Sequence, residues 1–134
     1  MKKLIFMCLF IFVSLMVVAQ SNEFSDQCRR IIYSAQPVNA ISRLDDATLR
    51  TLVRFAVGIP VEGQIQLNGT DAYLFTWLAN TEAMRRRNSP EEFSQFLQER
   101  RESNEPFLRE TDNPEIKDLG TRIDGWINTF QSNR

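Results

Sequence analysis

The side chains in this sequence best equipped for recognition chemistry are its arginines. Arg85, Arg86 and Arg87 are consecutive, and Arg100, Arg101 and Arg109 follow shortly after. A guanidinium is a planar fork of donors that matches a carboxylate or a phosphate. If the two segments carrying these six residues fold back on each other, they form an anion-binding or partner-binding surface. Glu82, Glu99, Glu102 and Glu105 are interspersed with them. The plainer expectation, and the preferred one, is therefore a set of exposed charges paired along helix surfaces.

Other chemistries are poorly supplied. The chain has no His, which removes the usual general base near neutral pH and the commonest metal ligand. Ser–His–Asp and Cys–His nucleophilic arrangements are excluded in their ordinary forms. No glycine-rich phosphate loop occurs. Carboxylates are left for acid–base work, in the pairs Asp45 with Asp46, Glu91 with Glu92, and Glu99 with Glu102. Sequence neighbours do not face each other on a helix, and the first two pairs are better explained as helix starters. Trp77 and Trp126 could line a ligand pocket, although core packing is the plainer role for aromatic residues in a small domain. No cofactor and no metal site is expected.

The start of the chain sets the context. Lys2 and Lys3 precede an apolar run from Leu4 to Ala19, and polar sequence follows at once. A positive start, an apolar middle and a small residue at the boundary are the parts of a secretory signal peptide. Val17 and Ala19 occupy the positions where cleavage needs small side chains, so residues 1–19 are expected to be removed. The run is short of the roughly 20 residues that a spanning helix needs, and no stable membrane span is expected after cleavage. The product would be a periplasmic or extracellular domain.

Residues 20–134 suffice for one domain with a single core. The chain carries 16 basic and 17 acidic residues. Without Lys2 and Lys3 the balance is 14 against 17, a net charge of −3. That balance argues against a nucleic-acid partner. Cys28 would be the one cysteine left, so no internal disulfide is expected. It could bridge two copies of the chain in a homodimer, but it lies in an apolar stripe where burial is the preferred reading.

The elements that must position these residues follow from hydrophobic spacing. Phe24, Cys28, Ile31, Ile32 and Ala35 recur at steps of three and four, predicting a helix over 22–36 that Pro37 stops. After a connection over 37–44, Asp45 or Asp46 caps a helix with Leu49, Leu52, Val53, Ala56 and Val57 inside, ended by Gly58. Residues 59–68 alternate apolar and polar. They predict an ordered loop, or less simply a lone extended arm pairing with a partner. Asn68-Gly69-Thr70 fits the N-glycosylation pattern. Thr70 or Asp71 then caps a helix to Arg87. Ser89 and Pro90 start a fourth helix that Pro106 interrupts, and Asn113 and Pro114 start a fifth. Gly120 and Gly125 inside the last helix imply a close helix approach or a bend.

The fold expected is all-α, a small irregular bundle of about five helices with a short extended segment near 59–68. The functional expectation is an exported interaction module, such as an inhibitor or an immunity-type protein, whose partner is another protein. The alternatives are a carboxylate-dependent enzyme acting on glycans or as a lyase, and a carrier of a small apolar ligand.

Overall fold

In the computed structural model the residues described are 20–133. The signal-peptide assignment falls on residues 1–19, outside the described residues. Among the described residues six helices follow one another: α1 (Glu23–Ile32), α2 (Pro37–Ser42), α3 (Asp46–Ala56), α4 (Gly69–Arg87), α5 (Pro90–Arg109) and α6 (Pro114–Ser132). The protein is an all-α, irregular bundle.

The helix starts are chemically explicit. Asp45 accepts the Thr48 N–H at 2.7 Å, and Ser89 accepts the Glu92 N–H at 3.3 Å. Asn113 accepts the Glu115 N–H at 3.0 Å. Each satisfies an amide that has no partner inside its helix. The cap of α4 is Asn68, not Thr70 or Asp71. Its side-chain oxygen accepts the Asp71 N–H and its amide donates to the Asp71 carboxylate, both at 2.9 Å.

Three boundaries differ from the sequence expectation. α1 ends at Ile32 rather than 36, because Pro37 opens a separate helix and disfavours helical geometry in the residue before it. That helix, α2, spans one and a half turns and shows too few apolar positions for a period, yet Val38 and Ile41 are both buried. α5 runs through Pro106 to Arg109. Proline there removes one backbone hydrogen bond, but Phe107 is seated against α6, so packing retains the last turn.

That seat explains Gly120. A methyl group built on it would lie 2.9 Å from Phe107 Cβ and 3.0 Å from the Phe107 carbonyl carbon. Only glycine lets α5 and α6 approach this closely. Gly125 faces open space. The two helices share the longest seam in the fold. Arg101 extends it, donating to Asp124, Asn128 and Gln131.

α4 runs through the centre and packs on every other helix. Leu74, Phe75, Leu78 and Ala79 are buried, facing several directions around its axis. Trp77 and Trp126 meet with ring centroids 5.9 Å apart, and Phe93 meets Phe130 edge-on at 5.8 Å. These aromatics are buried in the core of the bundle. The 59–68 segment is an ordered loop tethered to the start of α1. Ser21 N–H donates to Gly63 O at 2.6 Å, and Ile65 N–H donates to Ser21 O at 2.8 Å. Gly63 takes a φ of 77°, which glycine adopts without strain.

Candidate functional site

Five of the six arginines singled out by sequence have a local engagement of their own. Arg100 stacks over the Phe96 ring at 4.9 Å. Arg101 is held on α6, and Arg109 pairs with Glu105 at 3.0 Å. Arg85 and Arg86 turn to Glu82. Only Arg87, among the six, has neither an ion pair nor a ring contact among the described residues.

Glu82 is the centre of the most elaborate polar cluster. It is fully buried in α4. Its carboxylate accepts Arg85 Nε at 2.7 Å, Arg85 Nη2 at 2.8 Å and Arg86 Nε at 3.0 Å. A buried carboxylate without such donors would be strongly unfavourable. The hydrogen bond to Glu82 raises the Arg85 pKa from its ordinary value. For Arg86 burial opposes the charge, but the hydrogen bonds to Asp46 and Glu82 outweigh it and the net shift is upward.

Arg86 also reaches sideways. Nη1 donates to Asp46 at 2.7 Å and Nη2 to the Leu44 carbonyl at 2.6 Å, with longer contacts to the carbonyls of Ile41 and Ser42. These carbonyls belong to the end of α2 and the turn before α3, where helical partners run out. One guanidinium thus ties α4 to the α2–α3 corner and fixes how α3 lies against α4.

Between α3 and α4, beside this tie, is a groove of about 280 Å³. Leu49, Val53 and Ala83 supply its apolar lining, while Arg50, Arg54 and Arg87 stand on its rim. Arg50 and Arg54 are one turn apart on α3, as are Leu49 and Val53, so each pair stands on one side of the helix. Asp46, the nearest acid on α3, is committed to Arg86. Among the described residues Arg50, Arg54 and Arg87 hold no carboxylate. Sequence reasoning missed Arg50 and Arg54, although their four-residue spacing beside an apolar stripe was a usable signal.

Other candidates have structural roles. Asp45 is an exposed helix cap, and its bond to Thr48 lowers its pKa. Glu92 accepts the Ser89 hydroxyl, and Glu102 accepts from Gln98. Cys28 is fully buried and unbonded. Burial pushes its thiol up to about 12. The sulfur is thus enclosed in the core, the placement that its apolar stripe predicts. Asp71, also buried, accepts the Tyr33 hydroxyl and lies 3.9 Å from Arg29. Among the described residues no group of three or more His, Cys, Asp or Glu is placed to hold a metal ion. No described helix is long and apolar enough to cross a membrane.

Comparison with protein families, with curated proteins and with solved structures finds no match for this chain.

Proposed function

We propose that this protein is an exported helical module that works by binding another protein, with the α3–α4 groove as its docking face. The observation that carries this reading is the concentration of unpaired guanidinium groups around an apolar recess. Elsewhere Arg29, Arg85, Arg101, Arg109 and Arg122 each hold a carboxylate on their own or a neighbouring helix, and Arg30, Arg43 and Arg100, which hold none among the described residues, lie one each on α1, after α2 and on α5. A recess edged with uncompensated charge suits a partner that supplies the missing counter-charge. Export rests on the amino-terminal pattern, Lys2 and Lys3 before the apolar run ending at Ala19.

The test is site-specific photo-crosslinking in cells expressing the full chain. A photoreactive residue replaces Ala83 in the groove or, as a control, Thr129 on the exposed side of α6. The expected result is a discrete protein adduct from position 83 only, in the envelope or secreted fraction. Identical adducts from both positions, or none from either, would refute the reading. Amino-terminal sequencing of the recovered protein checks for cleavage after Ala19.

A further inference from the structure

Resting on the reading of the groove as a docking face, we propose that its occupant is an acidic protein segment, with carboxylates set on Arg50, Arg54 and Arg87 and a small apolar side chain seated on Leu49 and Val53. The first argument is charge. The groove is lined by Arg50, Arg54, Arg86, Arg87 and Asp46. The Asp46–Arg86 pair at 2.7 Å cancels internally, which leaves three positive charges unmatched. Arg50 and Arg54, four apart on one helix, repel each other until an anion sits between them.

The second argument is size. Pockets that bury a whole small-molecule ligand run from about 300 to 1,000 Å³. At about 280 Å³ this recess falls just below that range. It accommodates a side chain or two of a longer segment that continues across the rim. The third argument selects among anionic partners. With residues 1–19 removed, as export requires, the chain is acidic, with 17 Asp and Glu against 14 Lys and Arg. A bilayer of anionic lipid or a nucleic acid would meet that net negative charge over a wide area. A peptide segment meets only the groove. Helix geometry sets the register: Cβ atoms four residues apart are about 5–6 Å from each other, so adjacent carboxylates on one side of an extended segment match Arg50 and Arg54.

The test uses a short fluorescein-labelled peptide of alternating Glu and Leu and the full chain purified from its expression host. Binding is read by fluorescence anisotropy at low and high salt. The expected result is saturable binding that weakens with salt, and that weakens at least about tenfold in the double variant Arg50→Glu, Arg54→Glu. Arg43→Glu, an exposed site outside the groove, should leave it unchanged. Both Arg50 and Arg54 are solvent-exposed helix positions, and far-ultraviolet circular dichroism verifies folding. Val53→Phe provides a second variant, which leaves the rim charges unchanged and fills the recess, and it too should weaken binding. Equal binding by parent and double variant overturns the proposal. So does equal binding of a Lys–Leu peptide, or preferential binding to phosphatidylglycerol vesicles. If the peptide fails while position 83 still crosslinks a protein, the acidic occupant is wrong and the docking face stands. If both fail, both fall.

Discussion

Two glycines in the same helix should respond to alanine with opposite signs. In α6, Gly120 faces α5, and an added methyl would meet Phe107 Cβ at 2.9 Å, the carbonyl carbon at 3.0 Å and the carbonyl oxygen at 3.1 Å. Two of these three atoms are backbone, so no rotamer change relieves the clash and the helices must separate. Overpacking of this kind costs about 1–3 kcal/mol, and a backbone obstacle points to the upper part of that range. Replacing glycine by alanine inside a helix returns about 0.5–1 kcal/mol. Gly120→Ala should therefore lose about 2 kcal/mol. At Gly125 the same methyl meets nothing within 4 Å, so only the helix gain of about 0.5–1 kcal/mol survives. The assay is urea unfolding of parent, Gly120→Ala and Gly125→Ala, with equal slopes required for comparison. Thermal midpoints should separate by about 10 °C, taking roughly 4 °C per kcal/mol for a domain of this size. If Gly120→Ala is as stable as the parent, α5 and α6 do not approach at this point. If both variants shift the same way, the argument from Cβ space fails altogether.

Three further outcomes follow from the polar cluster, the helix seam and the buried thiol. Glu82→Gln removes the charge that Arg85 and Arg86 share. Breaking a buried ion pair costs about 3–5 kcal/mol, less here because Arg85 can turn to water, so a loss of about 2 kcal/mol is expected by urea unfolding; a loss under about 0.5 kcal/mol would show that the cluster is not a structural tie. Arg101→Ala removes donors to Asp124, Asn128 and Gln131 and should cost about 1 kcal/mol, with faster amide exchange at the end of α6 as the local readout. Cys28 should resist thiol reagents until the protein unfolds. Its thiol titrates near 9 when exposed and near 12 when folded. Below pH 9 both states keep the proton and it contributes no pH dependence. Between about 9 and 12 only the unfolded chain ionises, so stability falls as pH rises, by up to about 1.4 kcal/mol per unit. Tyr33, raised by its bond to Asp71, acts in the same direction. Cys28→Ala should flatten the alkaline decline; an unchanged slope would assign it elsewhere.

The local rules of helix formation made much of this fold readable in advance. Asp45, Ser89 and Asn113 cap the helices that their positions announce, because a cap is decided within four residues. The readable features end where long-range packing decides. α2 is too short to display a period, and it buries Val38 and Ile41 in a core to which α1, α4 and α6 bring it into contact. Pro106 would end an isolated helix, but the contact of Phe107 with Gly120 holds the last turn in place. Asn68 displaced Thr70 as the cap because it contacts Asp71 twice, through both its oxygen and its amide.

The site shows the same division more sharply. Consecutive helices joined by a short turn invite the assumption that their charged residues converge, which would set Arg85–Arg87 against Arg100, Arg101 and Arg109. Instead α5 gives its inner face to α6, and Arg101 goes with it. The C-terminal half of α4 meets α3, an element about 30 residues earlier, and that crossing is fixed by Arg86 reaching Asp46 and the carbonyls of Ile41, Ser42 and Leu44. Arg86 is in the triplet that the sequence marks out, yet its role is to hold the groove's shape. Arg50 and Arg54, unremarkable in sequence, are exposed and hold no carboxylate among the described residues. An arginine's availability for a partner is set by whether the fold has already given it a carboxylate. That depends on which helices touch, and only the folded arrangement of α3 on α4 separates Arg50, Arg54 and Arg87 from the arginines already paired.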